Sequence, residues 1–123
     1  MKVISTDKAP AAIGPYSQAA VVGSLVYTSG QIGIDPATGA VAPDVEAQAH
    51  QVFKNLAELL KAAGSDIGKV IKTTVFIKDM GDFAAVNGIY AQYFTQPYPA
   101  RSCVEVSRLP KDVLIECEAI AEL

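Results

Sequence analysis

The chain has 123 residues, half of them apolar, with a formal net charge of −3 and a pI near 5.0. That length suits one domain with one core, and the acidic balance argues against a protein whose main task is gripping phosphate backbones. Cys103 and Cys117 are the only cysteines, too few for a disulfide scaffold, and no apolar run has the length of a secretory leader or a membrane span. A cytoplasmic protein with free thiols is expected. So apolar a composition in so short a chain fits a subunit that buries one face against copies of itself.

The first element is a short strand, "KVIST" at 2–6. "APAAIGPYSQA" at 9–19 holds two prolines and a glycine and reads as a loop. "QAAVV" and "LVYTSGQI" are strand-like and flank Gly23-Ser24, a pair that predicts a hairpin turn of the II′ kind. "DPATGAVAP" at 35–43 is turn chemistry. The period then changes. Val45, Ala49, Val52, Phe53, Leu56, Leu59, Leu60 and Ala63 follow helical spacing. Asp44 stands at the N-cap position, Glu46 in the first turn and Gly64 past the end. "KVIKTTVFIK" at 69–78 alternates and is β-branched, which predicts a strand. A second helix is predicted from about Asp82 to Phe94, ended by the prolines of "TQPYPA". A closing hairpin is predicted from strands 101–107 and 113–121, joined around "RLPKD". The sum is one α+β domain over 1–123, a sheet with two helices on one face. The other face must meet water or a partner.

Familiar catalytic motifs are missing. "GSDIGKV" at 64–70 is one residue short of a P-loop and has valine where Ser or Thr should ligate magnesium. His50, the only histidine, reads as a surface or boundary residue, and one His with two separated Cys makes no metal cluster. There is no G-x-S-x-G elbow and no ribonucleoprotein motif.

The stretch "PARSCVEVSRLPKDVLIECEA" at 99–119 raises the chemical question. Strand parity in the predicted hairpin turns Val104, Val106, Val113, Ile115, Cys117 and Ala119 inward. Arg101, Cys103, Glu105, Glu116 and Glu118 then share the helix-free face. On this reading Cys103 and Cys117 point to opposite faces and form no disulfide. Arg101 and Glu116 admit two readings. One is a cross-strand surface ion pair with a bystander cysteine. The other is a site, in which Arg101 grips an anion through two parallel hydrogen bonds and Glu116 handles a water. Nothing in the pattern activates Cys103 as a nucleophile.

The same stretch resembles the C-terminal signature of the RidA/YjgF family of enamine/imine deaminases. "APAAIGPYSQA", "YTSGQIGIDPATG", "AAGSDIGKVIKTTVFIKDMGDF" and "VNGIYAQYF" resemble further family segments in the family's order, over nearly the whole chain. The resemblance implies a chorismate-mutase-like fold with a mixed, mostly antiparallel sheet. It also implies a homotrimer with the sheets inside, the helices outside and three clefts between subunits. The implied activity is hydrolysis of reactive 2-imino acids, 2-iminobutanoate and 2-iminopropanoate, to 2-oxo acids and ammonia, without a cofactor or metal. By resemblance, Arg101 clamps the substrate carboxylate, Glu116 positions the water, and Cys103 makes contact through its main chain. Tyr16, Ser29 and Gly30 line the cleft, with Phe83 and Asn87 on the second helix. A 2-oxo-acid sensor is the alternative of another class. RNA cleavage with inhibition of translation is a third reading, which the acidic balance disfavours.

Overall fold

The computed structural model describes residues 1–123. Seven strands and two helices follow in the order β1 (Lys2–Ile4), β2 (Ala19–Val22), β3 (Leu25–Thr28), β4 (Gln31–Ile32), α1 (Val45–Ala62), β5 (Val70–Ile77), α2 (Phe83–Tyr93), β6 (Ala100–Glu105) and β7 (Ile115–Glu122). The sheet runs β1-β2-β3-β7-β5-β6, with β4 also paired to β7. Every pairing is antiparallel except β5 with β6. No helix is long and apolar enough to cross a membrane.

Local chemistry explains the boundaries. The β2–β3 turn forms at Gly23, whose φ of 59° is where a glycine is at home. Asp44 caps α1 by accepting from the Ala47 amide at 2.8 Å. The P-loop-like stretch is a short turn of 3-10 helix, Ile67–Lys69, capped by Asp66. His50 sits at the boundary, its Nδ1 2.8 Å from the Tyr93 hydroxyl.

Val52, Phe53, Leu56, Leu59 and Leu60 bury the apolar stripe of α1 against the sheet. The ring of Phe53 meets Tyr90 and Phe94 of the α2 region edge-on. Both helices therefore cover one face. The open face keeps an apolar stripe, with Tyr27 46% and Val104 44% exposed.

The predicted closing hairpin does not form. β5 lies between β6 and β7, pairing with β6 in parallel and with β7 antiparallel. The cause is α2. A strand–helix–strand run is a crossover, and a crossover returns the chain parallel to its start. The insertion also overturns the predicted parity. Arg101 aligns with Thr73 and Ala119, and Cys103 with Val75 and Cys117. Thr73, Val75, Cys117 and Ala119 are buried beneath the helices, so Arg101 and Cys103 lie on the helix side. Glu116 aligns with Phe76 and faces the open side. The two cysteines share a face but remain two strands apart and free. Edge position explains the misleading valines. β6 is the last strand, so its helix-side positions lie at the margin of the core, where a polar side chain can still reach solvent, and Val104 looks to the open face.

Two buried amides on α1 hold backbone that the sheet leaves unpaired. Asn55 Nδ2 donates to the Ile32 and Ile34 carbonyls at 3.1 and 2.9 Å. Gln48 donates to the Ala42 carbonyl and accepts from the Leu114 amide, at 3.0 and 2.8 Å. They fix the end of β4 and the entry to β7. Asn55→Ala strands the Ile34 carbonyl and leaves that of Ile32 with the Ile34 amide alone, and we expect it to destabilise the fold by about 1–3 kcal/mol, measured by urea unfolding at fixed protein concentration.

Candidate active site

The centre of interest is a break in one ladder. β3 pairs with β7 up to Tyr27–Ile120, and β4 resumes the pairing at Gln31–Cys117. Between them the Thr28 hydroxyl accepts from the Ala119 amide at 2.9 Å, standing in for a backbone partner. Ser29 and Gly30 occupy this gap, beside Glu116. A β-carbon built on Gly30 would lie 1.9 Å from Glu116 Oε1, so any side chain there displaces the carboxylate. The glycine is needed for close approach.

Tyr16, Ser29, Gly30 and Glu116 all line one depression of about 880 Å³, with Glu118 and Lys111 also on its wall. Burial, and then repulsion from Glu118, push the Glu116 carboxyl above its ordinary range. A more basic carboxylate is a better proton acceptor for a water. The Ser29 hydroxyl donates to the Ser17 carbonyl at 2.5 Å, so its proton is committed to the N-terminal loop.

Arg101, Cys103, Asn87 and Phe83 form a second group, and none of them lines that depression. Phe83, Asn87 and Tyr90 recur at helical spacing along one side of α2. Arg101 lies across them. Its Nη1 donates to Asn87 Oδ1 at 2.6 Å. Its guanidinium carbon sits 4.7 Å from the Tyr90 ring centroid and 5.4 Å from that of Phe83. Tyr90 is itself held by the Thr73 hydroxyl at 2.8 Å. The two ion pairs of the chain are Lys61–Glu58 and Arg108–Asp112. Arg101 is thus aligned by an amide and two rings, yet no carboxylate neutralises it. The surface ion pair with Glu116 is excluded.

Cys103 lends its main chain to this group. The Val106 amide donates inward to Ile77 at 2.9 Å. Backbone groups alternate in direction along a strand, so the N–H and C=O of Arg101 and Cys103 point to the free edge of β6. Burial raises the Cys103 thiol above its usual range, against the opposing charge of Arg101. The sulfur stays protonated at neutral pH and is a poor nucleophile.

The two groups do not meet within one chain. Arg101 and Glu116 are offset by three residues along β5 and by two strand spacings, a separation of roughly 14 Å between Cα atoms, and they face opposite sides. Sequence reasoning named both sets but not Tyr90, Thr73 or Gln18. The signal for Tyr90 was its spacing from Phe83 and Asn87.

Residues 6–123 match the family model described as endoribonuclease L-PSP. A 2-iminobutanoate/2-iminopropanoate deaminase of Salmonella typhimurium is 59% identical over 98% of this chain and 96% of its own. Among solved structures, RidA from an Antarctic Psychrobacter superposes with a TM-score of 0.97 at 45% identity, covering 100% of both chains. E. coli TdcF with bound serine gives 0.96 at 50% identity, covering 100% of this chain and 99% of its own. The endoribonuclease L-PSP match over nearly the whole chain, with relatives this similar, places the protein in the RidA/YjgF family.

Proposed function

We propose that this protein is an enamine/imine deaminase that hydrolyses 2-imino acids such as 2-iminobutanoate and 2-iminopropanoate to 2-oxo acids and ammonia, at sites shared between neighbouring copies. The observation that carries the reading is Arg101, a guanidinium pre-aligned by Asn87 and Tyr90 and paired with no carboxylate of its own chain. A 2-imino acid carries a carboxylate suited to that guanidinium. The names of the Salmonella relative and of the serine-bound TdcF structure support a small amino-acid-like ligand.

In this mechanism Arg101 fixes the carboxylate through parallel hydrogen bonds, and the outward main-chain groups of Cys103 complete the hold. Asn87 and Phe83 keep the guanidinium in place. Glu116 accepts a proton from water as its oxygen attacks the imine carbon. That proton passes to the nitrogen to give a neutral amino alcohol; the hydroxyl proton then moves to the nitrogen by way of Glu116 as the C–N bond breaks and the C=O bond forms, and ammonia leaves. Tyr16, Ser29 and Gly30 shape the wall on the Glu116 side. Imines hydrolyse unaided, so positioning and one base are sufficient.

Arg101 and Glu116 of one chain cannot touch the same small ligand, so each site draws Arg101 from one copy and Glu116 from another. The apolar open face supports the assembly this requires, a homotrimer with inter-subunit clefts. Its occupant is then a second copy of the same sheet. An RNA-cleaving reading fits the depression poorly, because Glu116 and Glu118 oppose a phosphate backbone and Lys111 is its one cation.

Loss of activity in single variants, its recovery in mixed assemblies and a change in stability test the reading. With the imine generated by a dehydratase and trapped by semicarbazide, Arg101→Ala should lower kcat/KM at least about 100-fold while the protein stays folded. Glu116→Gln should lower kcat about 100-fold with ligand binding kept. Wild-type rates in Arg101→Ala sink the assignment. Refolding the two inactive variants together should restore part of the activity, since mixed assemblies contain sites with both residues intact. No recovery means that each site lies within one chain. The third outcome concerns stability. A carboxyl whose folded pKa is raised destabilises the native state when ionised, fully above its folded pKa and not at all below its unfolded one. Glu116→Gln should therefore raise Tm at pH 7, and the gain should vanish toward pH 4.

A further inference from the structure

We infer that Gln18 is a positioning residue for the reaction, a buried amide that fastens the N-terminal loop so that Tyr16 keeps its place on the wall beside Glu116. The inference rests on the imine-hydrolase reading. Gln18 is only 4% exposed, and its amide is fully engaged with one stretch of chain. Its Oε1 accepts from the Thr6 amide at 2.7 Å. Its Nε2 faces the carbonyls of Thr6, Pro10 and Ala9 at 3.0, 2.8 and 3.3 Å. Residues 5–18 otherwise lack regular structure, so the backbone groups of that loop have few other partners.

The same residue connects the loop to the break in the ladder. The Gln18 carbonyl accepts from the Ser29 amide at 2.9 Å, and the neighbouring Ser17 carbonyl accepts from the Ser29 hydroxyl at 2.5 Å. One side of Gln18 thus gathers Thr6, Ala9 and Pro10, and the other is tied to the strand exit at Ser29. Tyr16 lies two residues before it, 53% exposed and without a side-chain hydrogen bond. The ring has no anchor of its own. Its position on the wall follows from the backbone that Gln18 holds. Only a side chain with both a donor and an acceptor at this length satisfies an amide and three carbonyls together.

The test uses the full-length protein and Gln18→Met, which keeps the length and packing of the side chain and removes its hydrogen bonds. Imine hydrolysis should show KM raised about 10- to 100-fold, with kcat kept within about threefold because Glu116 is untouched. Amide exchange should quicken in residues 5–17 and stay slow in α1 and β5. A residue important only for folding would lower the population of active protein and leave KM unchanged. An unchanged KM, a loss confined to kcat, or unaltered exchange in the loop each overturns the inference. If Gln18→Met does not fold, Gln18→Glu carries the same criteria, since it keeps the acceptor for the Thr6 amide and sets a carboxyl oxygen against the three carbonyls in place of the donor. If the wild type itself shows no imine hydrolysis, the functional reading fails, and the exchange arm alone decides whether Gln18 holds the loop.

Discussion

The arrangement depends on an incomplete ladder along β7. On one side β7 is paired along nearly its whole length by β5. On the other it is paired by two short strands that leave Ser29 and Gly30 between them. Any side chain in place of Gly30 would fill the space where the Glu116 carboxylate now lies. The gap persists because side chains meet the demands that the ladder does not. Thr28 serves the Ala119 amide, and Asn55 serves two carbonyls just beyond. Buried polar side chains such as these two are costly unless satisfied. Here they are satisfied, and what they secure is a half-buried carboxylate in an open depression.

The Arg101 side is built on another principle. β6 is an edge strand, and α2 lies beside it with Phe83, Asn87 and Tyr90 turned toward it. Stacking and one amide contact restrict the guanidinium without neutralising it. A structural arginine is normally paired with a carboxylate, since an aligned and unpaired one gives up rotamer freedom for little return. That alignment without a partner is what points to a ligand.

The helices, the first hairpin and the central strand were legible in the sequence because each rests on local chemistry. Asp44, Gly23 and the alternation in 70–77 act within a few residues of themselves. The strand order was not legible in the same way. Val104 and Val106 have the pattern of a core-facing edge, and the short "RLPKD" connection resembles a hairpin loop, yet β5 separates the arms. The helix between β5 and β6 was the informative signal, because a crossover dictates parallel pairing whatever the side-chain pattern. The site residues were named through family resemblance, and the faces given to Arg101 and Cys103 by parity were wrong. Tyr90 is core, but its ring also carries the guanidinium. Gln18 was invisible, since nothing in a loop sequence tells which polar residue turns inward.

The free edge of β6 has one more consequence. A strand whose outer N–H and C=O groups are unpaired can accept another strand by simple addition, and such edges seed aggregation unless they are guarded. Here the edge is short, and Arg101 and Glu105 place charges on it. Those charges discourage a flat, apolar strand from docking, while a small anion can still reach the same backbone groups. The feature that makes the edge suitable for a ligand carboxylate therefore also protects the newly made chain from pairing with the wrong strand.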